Sequence, residues 1–161
     1  MTTTIRSGTP DDLPQALALI QELAEYEREP EAVETTVASM TRDGFGDRPV
    51  FEFFVAEDQS KIVGLALYFY SYSTWKGKCL YLEDLIVTES YRGRGLGRRL
   101  LDRIVEKAKE EQAKRVVWQV LDWNTPAIEF YKSLDASLLT EWITCRLVED
   151  QIRQYKPLPA E

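Results

Sequence analysis

Histidine is absent from this 161-residue chain. Imidazole is the usual general base near neutral pH and the commonest metal ligand, so Ser-His-Asp and Cys-His catalysis are excluded, and a His-ligated zinc site with them. Cysteine is scarce: Cys79 and Cys145 are too few for a zinc cluster and too far apart for a C-x-x-C redox motif, so two buried, reduced thiols are expected. Long apolar runs are missing as well. The longest, Ile62 to Tyr70, is too short to span a bilayer, and the start, Met1-Thr-Thr-Thr-Ile5-Arg6, has no apolar h-region; the expectation is a cytoplasmic protein without membrane attachment. Basic charge is in deficit, with 20 Lys plus Arg against 27 Asp plus Glu and a formal net charge of -7. That balance argues against a nucleic-acid partner and suits a cationic one. No repeat and no Gly/Ser/Pro-rich linker divides the chain, so one domain is expected, with Lys156-Pro-Leu-Pro-Ala-Glu161 as a frayed tail.

What is present alternates between strand and helix. A short strand lies around Ile5. Thr9-Pro10-Asp11-Asp12 then supplies an N-cap, a proline at the first helical position and early acids, followed by Leu13, Ala16, Leu17, Ile20, Leu23 and Ala24 at helical spacing. A second helix is predicted from Thr36 to Asp43, stopped by Gly44. Val50 to Glu57 and Lys61 to Tyr72 read as a hairpin about Asp58-Gln59-Ser60, with a further strand from Lys78 to Val87. Leu96, Leu100, Leu101, Ile104 and Ala108 form one face of a helix whose other face carries Arg98, Asp102, Glu106 and Lys109. Arg115 to Leu121 is read as a strand, Pro126 to Leu134 as a helix and Ser137 to Val148 as a last strand. The class is therefore α/β or α+β with a mixed sheet.

The chemistry sits between the strand ending at Val87 and the helix starting near Gly97. Unpaired N–H groups and the positive end of a helix dipole converge at such a junction and make an anion site. No G-K-[ST] is present for a P-loop, and Arg98 stands where G-x-G-x-x-G needs its third glycine. What remains is Arg92-x-x-Gly95-x-Gly97.

With this motif, the preceding Tyr81-Leu-Glu-Asp-Leu-Ile-Val87 and the downstream Asn124-Thr-Pro-Ala-Ile-Glu-Phe-Tyr131, the sequence resembles the GCN5-related N-acetyltransferase (GNAT) superfamily. Glu22-Leu-Ala-Glu-Tyr-Glu27, Asp43-Gly-Phe-Gly46, Ser73-Thr-Trp-Lys-Gly77 and Leu121-Asp-Trp-Asn124 narrow the likeness to the diamine (spermidine/spermine) and thialysine acetyltransferases. The resemblance implies a GNAT domain over residues 1–155 with a flexible tail at 156–161, acetyl-CoA as co-substrate, no metal, and a homodimer with sites near its interface. It places the cofactor against Leu85, Ile86 and Val87, the turn Arg92, Gly93, Arg94, Gly95, Leu96 and Gly97, and also Asn124 and Tyr131. Asn124 reads equally as a helix N-cap. The arginines resolve the paradox of a net-acidic protein holding an anionic cofactor, because charge is partitioned by site.

A lysine-like amine of pKa about 10.4 is neutral in roughly four molecules in ten thousand at pH 7, so the site must remove a proton as well as align the attack. Without histidine, carboxylates, tyrosines and water chains remain. The resemblance assigns the general base to Glu83, acting through water, and the general acid for the departing thiolate to Tyr131, which also fits a core aromatic at helical spacing from Ile128. A regular strand would send Glu83 and Asp84 to opposite faces. Tyr26, Glu27, Trp75, Glu83 and Asp84 are the implied acceptor set, with carboxylates drawing the cation and rings packing on its methylenes. Where the spermidine/spermine branch has an acid, this chain has Ser73, which favours the thialysine branch. Lys76 is then either a partner for a substrate carboxylate or simply solvated. Asp135 replaces a glycine common in the family, and tolerates the left-handed conformation such a turn needs.

Overall fold

Among the described residues, β-branched and aromatic side chains build a sheet of five strands: β1 (Thr4–Ser7), β2 (Glu52–Asp58), β3 (Lys61–Ser73), β4 (Gly77–Val87) and β5 (Val116–Val117). The computed structural model describes residues 3–159, and the chain divides after Leu121 into two compact units. In the first unit the strand order is β1-β2-β3-β4-β5, antiparallel up to β4 and parallel between β4 and β5. The fold class is the expected mixed-sheet α+β.

Three helices belong to this unit: α1 (Leu13–Tyr26), α2 (Val37–Phe45) and α3 (Leu96–Glu110). A 3-10 turn, Pro10–Asp12, leads into α1. There Asp12 is buried and accepts from the Thr9 N–H at 2.8 Å and from both Arg6 Nη atoms at 2.7 and 2.8 Å. α1 and α2 cover one face of the sheet, where Leu13, Ala16, Leu19 and Met40 meet Phe53, Val55, Leu65, Leu67 and Ile86. Leu96, Leu100, Leu101, Ile104 and Ala108 are buried along α3 as the periodicity requires. The β2–β3 hairpin turns through Gln59 and Ser60, both at positive φ (50° and 66°), the two-residue geometry that matches strand twist.

The second unit holds α4 (Thr125–Lys132) and α5 (Glu149–Gln154). Here the sequence reading needs correction. No strand forms over 137–148 among the described residues, because a strand exists only where a neighbour takes its hydrogen bonds, and none pairs with this segment. Trp142 and Ile143 are exposed instead, and Cys145 is exposed where a buried thiol was expected; Cys79 is buried. In the first unit the strand expected over Arg115 to Leu121 shrinks to Val116–Val117, since β4 offers it only Leu80 and Tyr81. Gly44 is a buried interior residue of α2, and Gly46 forms its C-cap. Of the expected tail, 156–159 are exposed and without regular structure, while Ala160 and Glu161 lie outside the described residues.

Candidate active site

β4 is irregular at the residues that matter. In its ladder with β3, Leu67 pairs with Asp84 and Tyr68 with Leu82, leaving Glu83 as an extra residue. Such a bulge breaks the two-residue alternation and re-aims side chains. Tyr81 lies opposite Phe69, with rings stacked at 4.9 Å, and Asp84 lies opposite Leu67. Phe69 and Leu67 are two apart on β3, and Leu67 faces the α1 side, so Tyr81 and Asp84 share that side despite being three apart. The regular alternation expected for Glu83 and Asp84 therefore does not hold.

The charges here act on one another. Burial pushes the Asp84 carboxyl up to about 6, with Glu83 and then Glu27 adding repulsion. Partial desolvation and Glu83 raise Glu27 above the ordinary carboxylate value, and the same two causes raise the Tyr81 hydroxyl. Thus α1, ending at Tyr26, delivers Glu27 to an acidic group made with Glu83 and Asp84. Glu83 itself is exposed.

Beyond the bulge, β4 has one free edge. The Thr88 N–H donates to Val63 O at 3.0 Å, so antiparallel alternation directs Ile86 and Asp84 to β3 and turns the backbone groups of Leu85 and Val87 away from it. β5 pairs only with Leu80 and Tyr81, so no strand among the described residues takes the Leu85 and Val87 N–H groups. Ile86 is placed differently from its neighbours: its backbone serves the ladder and its side chain is in the core.

The turn follows. After a 3-10 turn at Glu89–Tyr91, Gly93 and Gly95 adopt φ of 74° and 76°, a left-handed region that carries little cost for glycine alone. A Cβ at either position would meet nothing within 4 Å, so conformation rather than space demands glycine. α3 begins at Leu96 with no side-chain cap, whereas Thr36 caps α2 and Asn124 caps α4. Its first N–H groups are thus available to an anion. Arg94 lies over the Tyr91 ring at 4.9 Å and donates to Ser90 O at 3.1 Å, while Tyr91 Oη donates to Asp58 at 2.8 Å. The Arg92 side chain points back, its Nε donating to Val87 O at 2.8 Å and its guanidinium 5.3 Å from the centre of the Tyr26 ring. It shapes the turn.

A bulged strand with an open edge, a left-handed glycine turn and an uncapped helix supply neutral donors for a long ligand ending in phosphates. Residues 16–135 match the model of the Acetyltransferase (GNAT) family. The chain belongs to the GNAT family. A thialysine N-epsilon-acetyltransferase of Bos taurus is 38% identical, with 93% of this chain and 95% of that protein covered. The spermidine/spermine N(1)-acetyltransferase-like protein 1 of Homo sapiens is 39% identical over 92% of this chain but 23% of its own length. Among solved structures, an integron cassette protein from the V. cholerae mobile metagenome superposes with a TM-score of 0.79, covering 96% of this chain and 97% of that one at 23% identity, which speaks to fold. The protein is a GNAT N-acetyltransferase, and the family's co-substrate is acetyl-CoA.

The structure brings some of the expected residues together and leaves others apart. Glu27, Glu83 and Asp84 are brought together, as are Leu85, Val87 and the 92–97 turn. Trp75 is not. It sits, exposed, in the β3–β4 connection, and the ladder from Ser73↔Gly77 to Leu67↔Asp84 puts it about 20 Å along the strands from Asp84. The Ser73 hydroxyl accepts from the N–H groups of Trp75 and Lys76 at 3.3 and 3.2 Å, tightening that turn, and Lys76 is exposed. Tyr131 lies on α4 of the second unit, and Asn124 is that helix's N-cap, its Oδ1 accepting from the Ala127 N–H. Among the described residues no His/Cys/Asp/Glu group could hold a metal, and no helix is long and apolar enough to cross a membrane. Sequence reasoning missed Phe69 as the stacking partner of Tyr81, the Asp58–Tyr91 bond and, above all, Glu22. The first needs the register across the sheet, which single-strand patterns do not contain, and the second needs the path of the turn back over β2.

Proposed function

We propose that this enzyme transfers the acetyl group of acetyl-CoA to the primary amine of a small cationic molecule, with a thialysine- or lysine-like amino acid as the favoured acceptor. The observation that carries this reading is the bulge at Glu83, which sets the Glu27–Glu83–Asp84 group beside the open β4 edge. Acetyl-CoA supplies an activated thioester. Leu85 and Val87 offer N–H groups to the pantetheine arm and the thioester oxygen, and Gly93 to Gly97 with the start of α3 hold the diphosphate. Their value lies in fixed dipoles already aimed at the ligand. Glu83, through water, takes the ammonium proton, while Glu27 and Asp84 attract the cation. Tyr131 protonates the departing thiolate, an assignment supported by its place in the family motif. Tyr131→Phe then lowers kcat far more than it raises the KM for acetyl-CoA, and an unchanged kcat removes Tyr131 from the mechanism.

The second reading is a diamine or polyamine acceptor, favoured by the likeness to the spermidine/spermine-type relative. The amino acid is favoured by the likeness to the thialysine N-epsilon-acetyltransferase of Bos taurus, which covers 93% of this chain and 95% of that protein. Free-thiol release from acetyl-CoA across lysine analogues, diamines, polyamines and amino acids decides. Preference for S-(2-aminoethyl)cysteine is expected, and preference for spermidine reverses the order. A cytoplasmic homodimer completes the proposal, supported by the family likeness and tested by light scattering on the purified chain.

A further inference from the structure

One carboxylate from α1 gathers the start of the β4-to-α3 turn. Glu22 Oε2 accepts from Thr88 Oγ1 at 2.8 Å, and Oε1 accepts from the Glu89 N–H at 2.9 Å and from Arg92 Nη2 at 3.3 Å. Three donors within five consecutive residues thus meet a single side chain. Arg92 extends the connection in two directions: its Nε holds Val87 O on the open edge, and its guanidinium lies over Tyr26. Tyr26 is four residues after Glu22, one turn along α1, and immediately precedes Glu27.

We propose that Glu22 is a positioning residue for the acetyl donor, fixing the turn so that the glycine N–H groups and the first turn of α3 converge on the diphosphate. This rests on the reading that coenzyme A occupies that turn. The reasoning follows from what else holds the segment. Gly93 and Gly95 give the turn its left-handed path but also its freedom, and no side chain caps α3. Only bonds from outside the turn can remove that freedom before the ligand arrives, and a preorganised turn binds more tightly because less order is lost on binding. Tyr91 to Asp58 is one such tie, and Glu22 supplies three, two of them to Thr88 and Glu89 ahead of the glycines and one to Arg92 next to them. Glu83 lies apart from these bonds, at the bulge of β4 between Leu82 and Asp84, the two residues that the β3–β4 ladder holds. Losing Glu22 therefore weakens donor binding while the chemical step is spared.

The test measures coenzyme A binding by calorimetry for wild type, Glu22→Ala, Glu22→Gln and Thr88→Val. It is paired with kcat at saturating acetyl-CoA using whichever panel amine the wild type acetylates fastest, and with a melting curve for each protein. Glu22→Ala is expected to weaken coenzyme A about tenfold, the order set by losing charge-assisted hydrogen bonds. Glu22→Gln, which keeps one acceptor oxygen in reach, recovers most of that loss. Thr88→Val, which removes one donor without touching α1, costs about threefold, and kcat stays within about threefold throughout. A Glu22→Ala protein that binds within twofold of wild type overturns the inference, as does a fall in kcat at unchanged affinity. Should Glu22→Ala fail to fold, Thr88→Val and Glu22→Gln both binding as wild type overturn it equally. A wild type that takes up no coenzyme A overturns the underlying reading along with it.

Discussion

Around the β4-to-α3 turn two carboxylates meet donors, Glu22 those of Thr88, Glu89 and Arg92, and Asp58 that of Tyr91. Before that turn, Asp84 on β4 meets repulsion from its neighbour Glu83 and from Glu27 after α1, and no cation is among the groups that shift Glu27 or Asp84. The difference fits the ligand proposed for each region. A diphosphate is recognised by amide donors of fixed direction, so its site is shaped by satisfied hydrogen bonds. A flexible ammonium is drawn by field, so its site concentrates negative charge and leaves the neutralising partner to be the substrate. On the proposed reading, an enzyme of net charge -7 holds an anion with neutral groups and a cation with acids.

The comparison breaks most visibly at Glu83. Glu83→Gln is expected to lower kcat/KM about a hundredfold, most at low pH where the neutral amine is scarcest, with coenzyme A affinity kept. An equal loss at every pH makes Glu83 a positioning group for the amine rather than its base. The turn gives a smaller effect. Gly95→Ala forces an L side chain into φ 76°, costing about 1 kcal/mol, and is expected to raise the acetyl-CoA KM about tenfold with kcat little changed. Gly97→Ala is its control: a Cβ there meets only Val87 Cγ2 at 3.9 Å, an ordinary contact, and alanine favours a helix. Its KM stays within about twofold of wild type; a matching tenfold loss would mean that space near the diphosphate, not turn conformation, makes glycine necessary there.

These two regions were not equally legible in the sequence. The turn was read from Arg92, Gly95 and Gly97 because local rules fix it: positive φ demands glycine, and a strand followed by an apolar period of 3.6 sets the junction. The acidic group was read as a set of residue types, but its geometry was not, because a bulge is a property of pairing. Nothing in Tyr81-Leu-Glu-Asp84 announces that β3 skips Glu83. Glu22 was visible as part of a motif, but its task depends on contacts 66 to 70 residues away. The segment 137–148 failed for the opposite reason, its β propensity being genuine while no strand among the described residues pairs with it.

The mutual repulsion in the acidic group has a thermodynamic signature at Asp84. Its folded value of about 6 lies above the ordinary aspartate value of 3.8, so between those values the folded chain binds more protons than the unfolded one. Stability from this residue is therefore fully present below about pH 3.8, declines as pH rises, and is lost above about 6. The shift corresponds to roughly 3 kcal/mol at most, and partial solvation lowers that to about 2. Asp84→Asn removes the charge while keeping the shape, so it is expected to melt several degrees above wild type at pH 7.5, with the gap closing by pH 4. The amine opposes the same cost: a cation beside Asp84 favours its ionised form, so saturating substrate narrows the gap at pH 7.5. A gap independent of pH would instead assign the gain to packing, and the amine side would no longer be a site held under like-charge repulsion.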